Sequence, residues 1–252
     1  VAHCEASLRR LQTDYIDLYM VHWPITAASI RHFSNRPSDV PSVPDAFAAL
    51  DKLRQSGKIR YIGVSNFGRR HLTEALQTGV PIAVNELPYS LLARAIEWDI
   101  LPFCRERNVG VLGYMSLLQG VLGDRYPRLA DLPEHRRRTR HFNAASTPLS
   151  RHRTVGAEAE TEAALEAIRA VARRLQLTTA ELALKWACAG EGITSSLCGA
   201  RNVEALRANI KAAAEPIDPA VRAELARLTQ PLLERLGPSF DYYEHPENDR
   251  TC

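Results

Sequence analysis

The segment 11–24 places the strongest single constraint on the fold of this 252-residue chain. It reads LQTDYIDLYMVHWP, so the end of a helix leads into a short apolar run that stops at His22. An apolar run of this length between polar residues is typical of a strand in the core of a parallel sheet. Because α/β enzymes place reactive groups at the carboxyl ends of such strands, His22 is a candidate catalytic residue.

Short apolar runs alternate with helical patterns along the rest of the chain. This alternation predicts βα units and an α/β fold with a parallel sheet. We expect the strands to be buried on both faces, because they are brief and mostly apolar. The predicted strands are residues 15–22, 60–65, 83–86, 109–114 and 194–199.

Capping signals mark several helix starts. Thr178 and Glu181 form a capping-box pattern, and Asn202 and Asp218 are favourable caps for two later helices. Apolar residues already recur at helical spacing from Val1, so we expect that the sequence begins inside an element and is truncated at its amino end. The predicted helices are residues 45–55, 71–77, 158–175, 178–186, 202–210 and one that begins at 218.

The composition excludes several classes of protein. With 45% hydrophobic and 24% charged residues, the chain has an ordinary globular composition. It contains neither the run of about 18 apolar residues that a membrane helix needs nor the layout of a signal peptide. The five cysteines form no Cys-x-x-Cys pair. We therefore expect reduced thiols and a cytoplasmic location.

The net charge of +3 is small, and the densest basic cluster is HRRRTRH at residues 135–141. A solvated loop is the favoured interpretation, and contact with a phosphate-bearing small molecule is the alternative. No aromatic platform accompanies the cluster, so we expect no nucleic-acid partner. The cluster lies within residues 115–155, which we predict to be a long loop, and loops of that length usually cover or bind a ligand.

Polar side chains follow the predicted strands where each strand ends. His22, Ser65 with Asn66, Glu86 and Tyr114 all occupy such positions. The carboxyl ends of parallel strands form the ligand-binding side of α/β proteins, so these residues are candidates for one site. The sequence has neither the Gly-x-Gly-x-x-Gly nor the Walker motif, so a bound nucleotide would not be held by a Rossmann turn or a P-loop.

Five segments resemble, in order, motifs of the aldo-keto reductase family. Residues 11–24 resemble the family strand that ends on an active-site histidine. GKIRYIGVSNF at 57–67, NELPYSLLAR at 85–94, YMSLLQG at 114–120 and CGARNVEALRAN at 198–209 are similar to later family motifs.

The resemblance covers roughly residues 5–235 and implies a partial (β/α)8 TIM barrel. In this interpretation the chain carries strands four to eight with their helices, and the first three βα units are absent. Residues 1–252 would form a single incomplete barrel domain, in which the loop 115–155 covers the cofactor and residues 236–252 form a carboxyl-terminal tail.

The resemblance also implies NADP(H) as the cofactor. Ser65, Asn66 and Glu86 would bind the nicotinamide carboxamide, although the family usually has Gln where Glu86 stands, and an ionised Glu cannot donate. Tyr114 would stack on the nicotinamide, and His22 would polarise the substrate carbonyl. The other implied residues are Gln119, Gly199, Arg201 and Asn209 for the cofactor, with Arg201 favouring NADP, and Trp23 and Met115 for the substrate pocket.

The implied function is an NADP-dependent oxidoreductase that interconverts small aldehydes or ketones and alcohols. The family's catalytic Asp, Tyr and Lys lie on the three absent units, so we expect the isolated segment to be inactive and marginally stable. The alternative is a non-catalytic, nucleotide-binding or regulatory member of the family, which Glu86, Ala205 and Ala208 favour as departures from its motifs. We expect no membrane partner, and the oligomeric state is open.

Overall fold

The computed structural model describes residues 1–31 and 40–252, and it confirms an α/β fold with a parallel sheet. Each predicted strand is present, with ends within three residues of the prediction. The five strands are hydrogen-bonded in chain order, and the pairs β1–β2, β2–β3 and β4–β5 are parallel. The strands are β1 Ile16–Val21, β2 Ile59–Ser65, β3 Val84–Pro88, β4 Gly110–Tyr114 and β5 Ile193–Ser196.

The helices begin where the capping chemistry predicts. Thr178 accepts a hydrogen bond from the Glu181 amide at 3.2 Å while the Glu181 carboxylate accepts from the Thr178 amide at 2.9 Å, which confirms the capping box. Asn202 and Asp218 also accept from the first turns of their helices. The helices are α1 Ala2–Leu11, α2 Ala27–Ile30, α3 Val43–Gln55, α4 Arg69–Leu76, α5 Ile100–Glu106, α6 Glu158–Arg174, α7 Thr179–Cys188, α8 Val203–Ala214, α9 Pro219–Leu228 and α10 Gln230–Leu236. None of the helices in the described ranges is long and apolar enough to cross a membrane.

The chain divides into two compact units. The first contains Val1–Glu86, Phe103–Gly110 and Arg250–Cys252, and the second contains Leu87–Pro102 and Val111–Asp249. The core of the first unit lies around β2, where Ile62 and Val64 are at most 1% exposed. The core of the second unit includes fully buried residues of α6 and α7, among them Ile168, Leu182 and Trp186.

The prediction that all strands are buried on both faces is wrong for the two outer strands. Every residue of β1 is half-buried or exposed, and Thr194 and Ser195 of β5 are exposed. Both strands lie at the ends of the strand order, with one strand neighbour each among the described residues. The inner strand β2 is mostly buried, as an apolar run with two strand neighbours should be.

The segment 115–155 is more ordered than a loop prediction implies. It contains four short 3₁₀ helices, Leu118–Gly120, Leu129–Asp131, Glu134–Arg136 and Ala144–Ser146. Its residues Leu129, Leu132 and Phe142 are at most 4% exposed, so the segment contributes its own apolar contacts to the second unit.

The solvated interpretation of the basic cluster 135–141 is wrong for its carboxyl-terminal half. Arg140 is 5% exposed and donates hydrogen bonds to the carbonyls of Leu236 at 2.7 Å and Ser239 at 2.5 Å. His141 is fully buried. Arginine satisfies buried carbonyls well because its donors form a rigid fork, so Arg140 fastens the segment to the end of α10.

The carboxyl-terminal tail is not a free extension of the chain. Phe240, Asp241 and Tyr242 are at most 6% exposed. The Tyr242 hydroxyl accepts a hydrogen bond from the Ala95 amide at 3.1 Å. Residues 236–249 are therefore an integral part of the second unit.

Candidate functional site

In the first unit, neighbouring strand ends bring four predicted site residues together. The pairing of β2 with β3 places Ser65 beside Glu86, and the Ser65 hydroxyl donates to the Glu86 carbonyl at 3.1 Å. Asn66 donates through Nδ2 to the carbonyl of His22 at 3.0 Å and to the Ser65 hydroxyl at 3.0 Å. Side-chain hydrogen bonds of Ser65 and Asn66 thus link the ends of β1, β2 and β3.

The turn after β2 is held in an uncommon backbone conformation. Asn66 has a φ of 64°, in the left-handed region that few residues other than glycine adopt. Its amide donates to the Glu86 carbonyl at 2.9 Å. The fully buried Asn85 holds the next residue, since its Nδ2 donates to the carbonyl of Phe67 at 2.7 Å. The sequence identifies Asn85 only as part of the motif at 85–94, and its positioning role cannot be read from the sequence.

Glu86 is half-buried, and its environment changes its proton affinity. Burial raises the pKa of its carboxyl group, while the charge of His22 acts in the opposite direction. A raised pKa favours the protonated form, in which the carboxyl can both donate and accept a hydrogen bond.

His22 and Trp23 border an apolar cavity. His22 is exposed, Trp23 is half-buried, and their ring centroids lie 6.3 Å apart. The cavity has a volume of about 250 Å³, and its wall is mostly apolar: Val21, His22, Trp23, Pro24, Ile25, Ser29, Ile30 and Pro41. An imidazole at the mouth of an apolar cavity can hydrogen-bond the polar end of a small molecule whose remainder is apolar.

In the second unit, the turn after β4 contains three non-glycine residues in the left-handed region. Tyr114 ends the strand, and Met115, Leu118 and Gln119 have φ values of 61°, 42° and 55°. Such conformations are unusual for bulky residues, and they cluster at ligand-binding sites. Two contacts stabilise the turn at Gln119. Arg136 donates to the carbonyl of Gln119 at 3.0 Å. The side chain of Gln119 donates to the hydroxyl of Tyr243.

The turn between β5 and α8 forms the other part of the second unit's site. Gly199 has open space around the position of a Cβ atom, and Arg201 is exposed. Asn209 of α8 donates to the sulfur of Cys198 at 3.3 Å and reaches the Gly199 carbonyl at 3.5 Å. The amino end of a 12-residue helix beside a guanidinium is favourable for an anionic group.

The described residues offer no obvious metal centre, and Tyr19 shows no sign of activation as a proton donor. No group of three or more His, Cys, Asp or Glu residues in the described ranges could hold a metal ion. Tyr19 lies on β1, and burial raises the pKa of its hydroxyl. A general acid that works near neutral pH needs a pKa shifted the other way.

Comparison with known proteins identifies the family to which the chain is similar. A sequence model of the aldo/keto reductase family matches residues 1–230. The protein tas of Escherichia coli is 33% identical over 233 residues, which are 89% of this chain and 64% of tas. The NADH-specific methylglyoxal reductase of E. coli is 32% identical over 82% of this chain and 57% of its own length.

Solved structures with the same fold give a consistent result. An aldo/keto reductase from Klebsiella pneumoniae in complex with NADP and acetate is 27% identical, with a TM-score of 0.61 over 90% of this chain and 63% of that structure. A glycerol dehydrogenase from Gluconobacter oxydans is 25% identical, with a TM-score of 0.70 over 94% of this chain and 64% of that structure. The chain therefore spans less than two thirds of the length of these relatives, and it belongs to the aldo/keto reductase family.

Proposed function

We propose that this chain is the larger part of an NADP-dependent oxidoreductase that interconverts small aldehydes or ketones and alcohols. The observation that carries the proposal is the hydrogen-bonded group at the ends of β1, β2 and β3, formed by His22, Ser65, Asn66 and Glu86. Family membership and the NADP complex of the Klebsiella relative support it. The names of two matched E. coli relatives, both methylglyoxal reductases, support a small carbonyl compound as substrate.

The residues present include partners for a nicotinamide carboxamide and, separately, for an adenosine phosphate. A carboxamide needs partners that donate and accept, which Ser65, Asn66 and a protonated Glu86 can supply together. We propose that Tyr114 stacks on the nicotinamide ring and that Gln119 lies in the strained turn beside the cofactor. When bound, NADPH supplies the hydride.

The turn before α8 is the proposed site for the 2′-phosphate and adenine. Arg201 can form two parallel hydrogen bonds to a phosphate, and Gly199 lets the backbone approach closely. Asn209 is held by the sulfur of Cys198 next to this turn and is the proposed adenine contact. One relative is named as NADH-specific, so the preference for NADP in this chain rests on Arg201.

We propose that His22 orients and polarises the substrate carbonyl. Its position at a strand end beside an apolar cavity supports this role. Trp23 lines the same cavity, and we propose Met115 as a second wall of the substrate pocket. Such a lining suits small apolar aldehydes and ketones.

We propose that β1 to β5 correspond to strands four to eight of a (β/α)8 barrel and that the proton donor belongs to the first three units. The order of the motifs and the partial coverage of tas support this assignment. A segment supplying an Asp, a Tyr and a Lys should then be needed for turnover. The raised pKa of Tyr19 is consistent with a donor elsewhere.

Titration of the chain with NADPH, followed by the cofactor's fluorescence, tests the cofactor half of the proposal. We expect saturable binding that weakens by about tenfold in Arg201→Ala, since one charge-assisted contact to phosphate is lost. Arg173→Ala, at an exposed position of α6, is the control and should bind normally. Absence of saturable binding by the unaltered chain would refute the proposal.

A non-catalytic, nucleotide-binding member of the family is the second candidate. Glu86, Ala205 and Ala208 favour it, because each replaces a residue that usually gives the family a polar cofactor contact. The two candidates differ in the complete protein, where an oxidoreductase turns over carbonyl compounds with NADPH. Binding of NADPH by that protein without turnover would favour the second candidate.

A further inference from the structure

The last described residues of the chain lie against the turn that follows β2. We call residues 250–252 the tail segment. Thr251 is fully buried, and its carbonyl accepts a hydrogen bond from the amide of Gly68 at 2.8 Å. The backbone oxygen of Cys252 accepts from His71 Nε2 at 2.8 Å and from the guanidinium of Arg70. The tail segment is therefore fixed along the start of α4 by several hydrogen bonds.

A glycine permits the close approach of these two backbones. A Cβ atom built at Gly68 would lie 2.4 Å from the carbonyl oxygen of Thr251, far inside van der Waals contact. The φ of Gly68 is −75°, a value that any residue can adopt. The tail segment itself, rather than the backbone conformation, makes a side chain unacceptable at this position.

Arg250 connects the tail segment to the residue that follows His22. Its guanidinium carbon lies 3.9 Å from the centroid of the Trp23 ring, and the side chain is 5% exposed. Cation–π contacts are strongest when the cation is removed from water. Trp23 is therefore held from one side by a buried cation.

The two points that the tail segment contacts are already linked within the candidate site. Asn66 joins the turn after β2 to the carbonyl of His22, and Asn85 fixes Phe67, the residue before Gly68. A shift of the tail segment would therefore act on Trp23 directly and on the Ser65–Asn66 turn through its neighbour.

We propose that Arg250 and Thr251 are positioning residues for the candidate site. Arg250 sets the orientation of Trp23, and Thr251 fixes the turn that carries Ser65 and Asn66. The tail segment thus holds a pocket wall and the nicotinamide-binding turn in one arrangement. The consequence for cofactor binding rests on the proposed function, whereas the position of Trp23 does not.

Fluorine NMR of the full chain tests the inference without a cofactor. Incorporation of 5-fluorotryptophan labels the three tryptophans, and Trp23→Phe assigns the resonance of Trp23. We expect Arg250→Ala to shift that resonance alone, because the aromatic ring loses its stacked cation. Arg173→Ala, which removes an exposed arginine of α6, should shift none of the three resonances.

Gly68→Ala is the sharper test because it leaves Arg250 and Trp23 unchanged. It perturbs the tail segment only through the contact between residue 68 and the Thr251 carbonyl. The added methyl group should displace the tail segment, so the Trp23 resonance should move in the same direction as in Arg250→Ala. Hydrogen exchange of the Gly68 amide in Arg250→Ala should also become faster. A Trp23 resonance that stays in place in either variant would overturn the proposal.

A cofactor titration separates this inference from the proposed function. If the unaltered chain binds NADPH, Arg250→Ala should weaken binding by about tenfold, within the range expected for a desolvated cation–π contact. Unchanged affinity together with a shifted Trp23 resonance would overturn the positioning role. Failure of the unaltered chain to bind NADPH would refute the proposed function. The resonance of Trp23 would still decide whether the tail segment holds Trp23 in place.

Discussion

Two buried imidazoles in the second unit should make the protein sensitive to mild acid. His141 and His152 are both fully buried. His141 donates through Nε2 to the carbonyl of Leu92 at 2.7 Å, and its Nδ1 lies 3.0 Å from the hydroxyl of Thr139. His152 accepts from the amide of Thr154 at 3.2 Å. Both rings are therefore arranged to be neutral.

The pKa values give the sign and size of the effect. Burial, followed by nearby positive charge, lowers the pKa of each imidazole to about 4 from an ordinary value of 6.5. The unfolded chain therefore takes up protons first as the pH falls below 6.5. Between about pH 7.5 and about pH 5, each imidazole should lower the free energy of unfolding by about 2 kcal/mol, and the pair by up to about 4 kcal/mol.

The perturbation is the double variant His141→Gln and His152→Gln, with the exposed His135→Gln as the matched control. Urea unfolding at the two pH values gives the free energy of unfolding of each protein. The double variant should be less stable near pH 7.5, because it loses buried hydrogen bonds. Its stability should nevertheless fall much less on acidification than that of the unaltered protein or of His135→Gln.

Other titrating groups do not affect this comparison. Burial also lowers the pKa of His71, and it raises the pKa of Glu86, so both contribute to the pH dependence of the unaltered chain. Both groups remain in every variant, and their contributions cancel in the difference. An acid-dependent loss of stability that is the same in the double variant and the unaltered chain would refute the reasoning.

Four further outcomes are expected. Glu86→Gln should bind NADPH several-fold more tightly near neutral pH, because a glutamine always donates whereas Glu86 donates only when protonated. The variant should also lose the strengthening of NADPH binding toward acid pH that the unaltered chain would show. Arg201→Ala should weaken NADPH binding by about tenfold but leave NADH binding nearly unchanged, as measured by parallel titrations. Gly156→Ala should destabilise the chain by more than about 2 kcal/mol in urea unfolding, since its φ is 75° and the new Cβ would meet the Phe142 carbonyl at 2.2 Å. Gly57→Ala, with a φ of 76° and no atom within 4 Å, should cost about 1 kcal/mol.

The features that the sequence predicted well are those with local causes. The helix starts at Thr178, Asn202 and Asp218 follow from side chains that bond amides two or three positions later. The strands follow from short apolar runs. The contacts among His22, Asn66 and Glu86 follow from parallel pairing, which brings strand ends to one edge.

The features that escaped prediction depend on partners far apart in sequence. Arg140 is charged and lies in a basic cluster, and only the carbonyls of Leu236 and Ser239 explain its burial. The hydrogen bond between Gly68 and Thr251 joins residues that are far apart in sequence. A polar residue is buried only where the fold supplies hydrogen-bond partners for it, and a single sequence does not reveal such partners.

Some of the unusual backbone conformations in the described residues have an ordinary explanation. Gln12, Asn108 and Gln176 have φ values between 54° and 56°, and each follows closely on the end of a helix. A left-handed residue at that position lets free carbonyls of the last turn find donors. These residues therefore carry no implication for function.

The left-handed residues that follow β2 and β4 cannot be explained in this way. Asn66 comes after the end of β2, and Met115, Leu118 and Gln119 come after β4. Conformations of this kind cost on the order of 1–3 kcal/mol each and persist only where other contacts hold them. Here those contacts come from groups outside the turns, among them Arg136 at Gln119. Apart from Arg153, the remaining left-handed non-glycine residues of the described chain follow β2 or β4, and the sequence motifs select the same two strand ends.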